Sequence, residues 1–179
     1  MKRWIAILGL LPLLLSCASF PEPEAPESSL VIGYLVLDYP DGWFDQAKRT
    51  IASGVTLYFT NQSSGNKFWL TTSQGYFQFL SNGTDSYSLE SYKVTVDRST
   101  SSGDISLKFT AKPHTVVYLG HHTMIHTDPQ KTTKTTPEGR GTYWTYKRST
   151  NFQDKEGEML TYLKSKDPES PWLEYEVVH

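Results

Sequence analysis

The side chains best placed by type and spacing for chemistry are five histidines: His114, His121, His122, His126 and His179. His122-Thr123-Met124-Ile125-His126 has i, i+4 spacing, which on a helix aligns two imidazoles over one metal ion. The β-branched neighbours Thr115-Val116-Val117 and Thr123 favour a strand instead. On a strand four residues span about 13 Å, whereas two ligands of one metal must lie within about 4 Å of each other. No glutamate follows in HExxH fashion and the chain has no CxxC pair. The reading is therefore no metal and no cofactor. His122 and His126 stay as the alternative, a metal-binding protein or metal-dependent enzyme. The acids of Asp38-Tyr39-Pro40-Asp41-Gly42-Trp43-Phe44-Asp45 fail the EF-hand template, since a glycine at Gly42 would require an acid where Leu37 stands. A Pro-Asp-Gly turn accounts for them. No GxSxG elbow occurs, the serines have no identifiable histidine partner, and Glu156/Glu158 and Glu174/Glu176 read as solvated acids. No catalytic residue is assigned, and the chain is not expected to be an enzyme.

A second constellation is basic and aromatic. Between Thr127 and Thr150 stand Lys131, Lys134, Arg140, Lys147 and Arg148 against Asp128 and Glu138, with Tyr143, Trp144 and Tyr146 interleaved. Rings beside cations can stack on and pair with an anionic polymer or glycan. Arg140, Tyr143, Trp144, Tyr146, Lys147 and Arg148 are thus the candidate binding residues, and 127–138 is expected to be a mobile loop. The competing reading is a solvated loop leading into a strand whose aromatics face the core.

The N-terminus carries an address. Lys2 and Arg3 precede an apolar run from Trp4 to Leu15, about half of the roughly 20 residues a permanent membrane helix needs. Residues 1–16 read as a signal peptide. Its boundary, Leu14-Leu15-Ser16-Cys17, resembles a bacterial lipobox and contains the chain's single cysteine. The resemblance implies acylation of Cys17, which becomes the mature N-terminus, and a protein anchored by lipid in the bacterial cell envelope, on the periplasmic side or the cell surface. The alternative is a secreted protein cut near Ala18. Loss of residues 1–16 takes the 17 basic residues to 15 against 19 acidic ones, so attachment would rest on acyl chains rather than on attraction to anionic lipid. Residues 17–29, with three prolines and Glu22, Glu24 and Glu27, are expected to be a stiff tether, able to hold the domain some 35 Å from the membrane at about 3.1 Å per residue.

The elements that must position these groups are short strands. The chain has 179 residues, 37% hydrophobic, 13% aromatic and 20% charged, with net charge -2: one domain, without the cationic excess of a nucleic-acid binder. Aromatic and β-branched runs predict strands near 30–37, 55–60, 67–71, 75–80, 87–96, 104–111, 115–125 and 141–147. Turn residues fall between them, and hairpins are expected at Ser63–Asn66, Asn82-Gly83 and Ser101–Asp104. Met159, Leu160 and Leu163 form an apolar stripe over 154–165, a short amphipathic helix with Asp154 available as its cap. The expectation is an antiparallel β-sandwich of about seven or eight strands over 30–179 with one C-terminal helix. Tyr58, Phe59, Phe68, Trp69, Phe77 and Phe79 are assigned to its core.

Two stretches, LTTSQGYFQFLSNGTDSYSL and FTAKPHTVVYLGHH, pair a Gly-aromatic strand with one ending in Tyr118-Leu119-Gly120. Together with the closing FQDKEGEMLTYLKSKDPESPW, this order resembles prealbumin-like or carboxypeptidase-regulatory-like domains of bacterial envelope lipoproteins. The resemblance implies a non-catalytic binding or assembly module with an envelope protein or glycan as partner. It transfers no catalytic residues.

Overall fold

The structure, a computed structural model, describes residues 20–40, 49–96, 99–136 and 139–179. The chain is mostly β, with two sheets. Strands β1 (Ser28–Tyr39), β2 (Arg49–Ile51), β5 (Tyr76–Asn82), β8 (Thr115–Thr136), β9 (Gly139–Gln153) and β10 (Glu176–Val178) form one. Strands β3 (Val55–Asn61), β4 (Lys67–Thr71), β6 (Ser86–Val96) and β7 (Ser99–Thr110) form the other, in the order β4-β3-β6-β7.

Every pairing is antiparallel except β1 with β8 and β8 with β10, which are parallel. The first sheet is thus mixed rather than purely antiparallel. The reason lies in β1, whose SSLVIGYLVLDY is buried almost without interruption. A strand covered on both faces carries a continuous apolar run, as strands in parallel arrangements do. Val31, Leu35 and Leu37 point toward the second sheet, where they meet Leu57, Phe59, Tyr92 and Val94 in one core. Leu30 and Ile32 point the other way and join Val116 and Tyr118 in a second core, under α1 (Glu156–Lys166).

The helix lies one or two residues from its expected span. Asp154 Oδ1 accepts the Glu156 N–H at 3.2 Å, acids occupy the first turn and Lys164 and Lys166 the last, as the helix dipole favours. Met159 and Leu163 reach the second core, and Trp172, in the 3-10 turn Pro171–Glu174, closes it.

Three expectations change. The mobile loop expected over 127–138 is extended structure: β8 continues to Thr136 and pairs with β9 as far as Thr136↔Gly139, while 137–138 lie outside the described residues. Its threonines are β-branched and suit an extended ribbon. At Asn82-Gly83 the chain does turn, with Asp85 N–H donating to the Asn82 carbonyl at 3.0 Å, but no hairpin forms. There β5 pairs with β1 and β6 with β3 and β7, so the turn carries the chain from one sheet to the other. Finally, Ser101–Asp104 lies inside β7, whose ladder with β6 runs from Ser86↔Thr110 to Val96↔Ser99. The hairpin expected at Ser63–Asn66 is present, joining β3 to β4.

Candidate functional site

The histidines are distributed by a bulge in β8. Ile32 pairs with Tyr118 but Tyr34 pairs with His121, so β8 holds one residue more than β1 across this step. Gly120 sits in it at φ +79°, a conformation L side chains rarely adopt. The extra residue brings Tyr118 and His121 near one another, ring centroids 6.1 Å apart, next to α1. His122 and His126 face the inter-sheet core instead, His122 beside Leu35, Phe77 and Met124.

Neither of that pair is a free ligand. His126 is 1% exposed and stacks on Tyr39 with ring centroids 4.1 Å apart. Its Nδ1 lies 3.1 Å from the Asp38 carbonyl and must carry the proton, so Nε2 accepts the Tyr92 hydroxyl at 2.6 Å. His122 Nε2 lies 2.7 Å from the Leu119 carbonyl. Among the described residues no group of three or more His, Cys, Asp or Glu could hold a metal ion.

His121 stacks on Tyr34 at 4.1 Å, its Nδ1 lies 4.0 Å from a Glu158 carboxylate oxygen, and its buried Nε2 has no hydrogen-bond partner among the described residues. Burial holds both His121 and His126 below the ordinary histidine range, Glu158 opposing it at His121 and the Asp38 carbonyl at His126. The unfolded chain then binds protons that the folded one refuses. The stability these neutral rings contribute is complete above a pH of about 6.5 and declines as pH falls from there toward the depressed folded values. Urea midpoints are expected to drop between about pH 7.5 and pH 5.5, and less steeply in His121→Phe, which keeps a ring on Tyr34 and loses the proton site. Equal slopes would remove His121 as a source.

The basic and aromatic segment comes apart in the fold. Tyr146 packs against the inter-sheet core, edge-on to Tyr39 and His126 at 5.8 and 5.6 Å. Lys147 pairs with Asp128 at 2.6 Å. Arg140, Tyr143 and Trp144 lie on β9, their side chains outside the described residues, as is Cys17. Tyr146 and Lys147 share an open hollow of about 310 Å³ with Asp128 and Gln130, while Arg148 reaches a separate concave surface that Tyr58 also lines.

That surface lies at the β6–β7 edge of the four-stranded sheet: Tyr92 and Gly103, paired across the strands, face the other sheet, and Arg148 meets them there, whereas Tyr58 faces out. Arg148 Nη2 donates to the Ser102 carbonyl at 2.9 Å and the guanidinium lies 5.9 Å from the Tyr92 ring centroid. Gly103 makes room for it, since a Cβ there would stand 2.6 Å from Arg148 Cζ and 2.8 Å from the Tyr92 ring. With Tyr58, Ser91, Lys93 and Asp104, these groups line an open groove of about 380 Å³. Beside it stands Trp69, the direct cross-strand partner of Tyr58 and therefore on the same face. Trp69 is 66% exposed and Tyr58 36%.

The sequence assigns both rings to the core, and the structure does not. Phe59 and Phe77 are buried and Phe68 and Phe79 pack against them, but Tyr58 and Trp69 face out. The signal lay in the alternation of β3, where Val55, Leu57 and Phe59 are buried and Thr56 and Tyr58 fall between them. Comparison of the chain with protein-family models, with curated proteins and with solved structures found no match.

Proposed function

We propose that this chain is a non-catalytic, lipid-anchored module of the bacterial cell envelope that binds a glycan on the outer face of its four-stranded sheet. The observation that carries the reading is the Tyr58–Trp69 pair, two large rings adjacent across β3 and β4 and open to solvent. An isolated exposed aromatic needs no explanation, but two on one flat face beside a groove form an apolar platform rimmed by polar groups. Sugar rings present apolar C–H faces that stack on such rings, while their hydroxyls need donors and acceptors at the rim. Ser91 and Ser102 supply hydroxyls there, Asp104 an acceptor, and Lys93 a cationic donor suited to a carboxylated sugar. The anchor rests on the Leu14–Cys17 motif.

Co-sedimentation with insoluble peptidoglycan and with neutral cellulose tests it. Trp69→Ala is expected to weaken peptidoglycan binding at least about tenfold, as the loss of a central aromatic anchor does elsewhere, with the melting temperature unchanged. Lys93→Ala should weaken peptidoglycan more than cellulose. Wild-type binding by the Tyr58→Ala, Trp69→Ala double variant would overturn the assignment of this face. For the anchor, radiolabelled palmitate should enter the wild type and not Cys17→Ser.

A further inference from the structure

The segment expected to be a spacer is packed onto the body. Phe20 is 2% exposed and meets Tyr162 of α1 edge-on at 6.0 Å. The Trp172 indole N–H donates to the Pro21 carbonyl at 2.7 Å. Further along, His114 Nδ1 lies 3.1 Å from the Pro26 carbonyl, and the Gly83 N–H donates to the Glu27 carbonyl at 2.8 Å. At Ser28 the chain enters β1. The stretch is not extended throughout: it bends at 24–25 and turns at 26–27, where the Ser28 N–H donates to the Ala25 carbonyl at 2.9 Å, and its aromatic first residue and its carbonyls find partners across two other parts of the fold. A segment held in this way is a strap.

We propose that the protein is held directly against the bilayer, with phospholipid headgroups contacting the surface around Phe20, Tyr162 and Lys166. The inference rests on the acylation of Cys17 proposed above. From Cys17 to Phe20 there are three Cα–Cα steps, a reach of at most about 11 Å, against the 35 Å of a free twelve-residue spacer. The headgroup layer of one leaflet is itself about 5–7 Å thick, so acyl chains in the hydrocarbon leave the point where Phe20 enters the fold at the headgroups.

The chemistry at that point suits an interface. An open cleft of about 210 Å³ runs between α1 and the strand ends, lined among others by Phe20, Leu70, Tyr76, Tyr162 and Lys166. Tyrosines prefer the boundary between hydrocarbon and water. The Lys166 ammonium lies 5.7 Å from the Tyr162 ring centroid, at the end of a chain long enough to meet a lipid phosphate. Asp167 follows directly, so this is an amphipathic contact in which the acyl chains supply the attachment.

The test uses the full-length lipoprotein, acylated in bacterial cells and reconstituted in phosphatidylethanolamine–phosphatidylglycerol vesicles. With Cys17 acylated, one introduced cysteine takes a fluorophore at either Lys166→Cys, by the cleft, or Lys108→Cys, exposed on β7 in the other sheet. Quenching by headgroup-labelled lipid is expected to be severalfold stronger at position 166. Inserting twelve Gly/Ser residues between Ser19 and Phe20 should abolish the difference while the protein still floats with the vesicles. Equal quenching at the two positions in the native-length protein, or a difference that survives the insertion, would overturn the direct contact and leave the anchor standing. Protein that neither takes up palmitate nor floats would overturn both.

Discussion

Replacing Trp172 by alanine is expected to lower the free energy of unfolding by about 3–5 kcal/mol, the range for deleting a fully buried aromatic ring. The indole is 0% exposed and packs among Leu30, Ile32, Val116, Met159 and Leu163, with the Tyr175 ring edge-on at 4.9 Å. Around it are a rigid sheet face and a helix, neither of which can collapse fully into the space. Its N–H also satisfies the Pro21 carbonyl at 2.7 Å, so the truncation leaves an acceptor to find water. Against a typical total of about 5–15 kcal/mol, this leaves a marginal protein. Urea unfolding followed by circular dichroism measures it. Trp172→Phe separates the two parts: it restores most of the volume and none of the hydrogen bond, and should cost about 1–2 kcal/mol. A cost under about 1 kcal/mol for the alanine variant would mean that the ring does not close the second core.

How much of this was visible in the sequence depends on the range of the interaction. Local signals were reliable. The alternation of β7 puts Ile105, Leu107 and Phe109 on the core side, the β3–β4 hairpin follows from Ser63-Ser64-Gly65-Asn66, and the Met159/Leu163 stripe marks α1. What could not be read were the pairings between distant segments. Parallel contact of β1 with β8 joins Leu30 to Val116, and no local pattern distinguishes a strand buried by a helix from one buried by a sheet. The strap was missed for the same reason. Its composition describes how 18–29 behaves alone, while Phe20 and Pro21 are held by Tyr162 and Trp172, some 140 residues or more along the chain. The binding face was half legible. Tyr58 was written into the alternation of β3, but Arg148 enters the groove only because β9 brings it beside Ser102 and Gly103 of the other sheet.

Gly83 shows how a strong local signal can be correct about the backbone and wrong about the topology. Asn82-Gly83 marks a turn, and the turn is there, yet the glycine is required by what lies next to it. Its N–H donates to the Glu27 carbonyl at 2.8 Å, and a Cβ on it would strike that same carbonyl and the Pro113 backbone, 2.7 Å from its nitrogen. Both obstacles are main chain, which cannot rotate aside as a side chain can. Gly83→Ala must therefore part the strap from the turn and give up the hydrogen bond, at an expected cost of about 2–3 kcal/mol from overpacking and the lost bond together. Gly157, within α1, has nothing within 4 Å of its Cβ position, and the identical substitution there should stabilise the protein by up to about 1 kcal/mol through helix propensity. The same added methyl thus has opposite signs at two sites, and melting temperatures of the two variants decide it. If Gly83→Ala proved neutral, the strap would not be seated against residues 82–85, and its close hold on the body would reduce to the contacts of Phe20, Pro21 and Pro26.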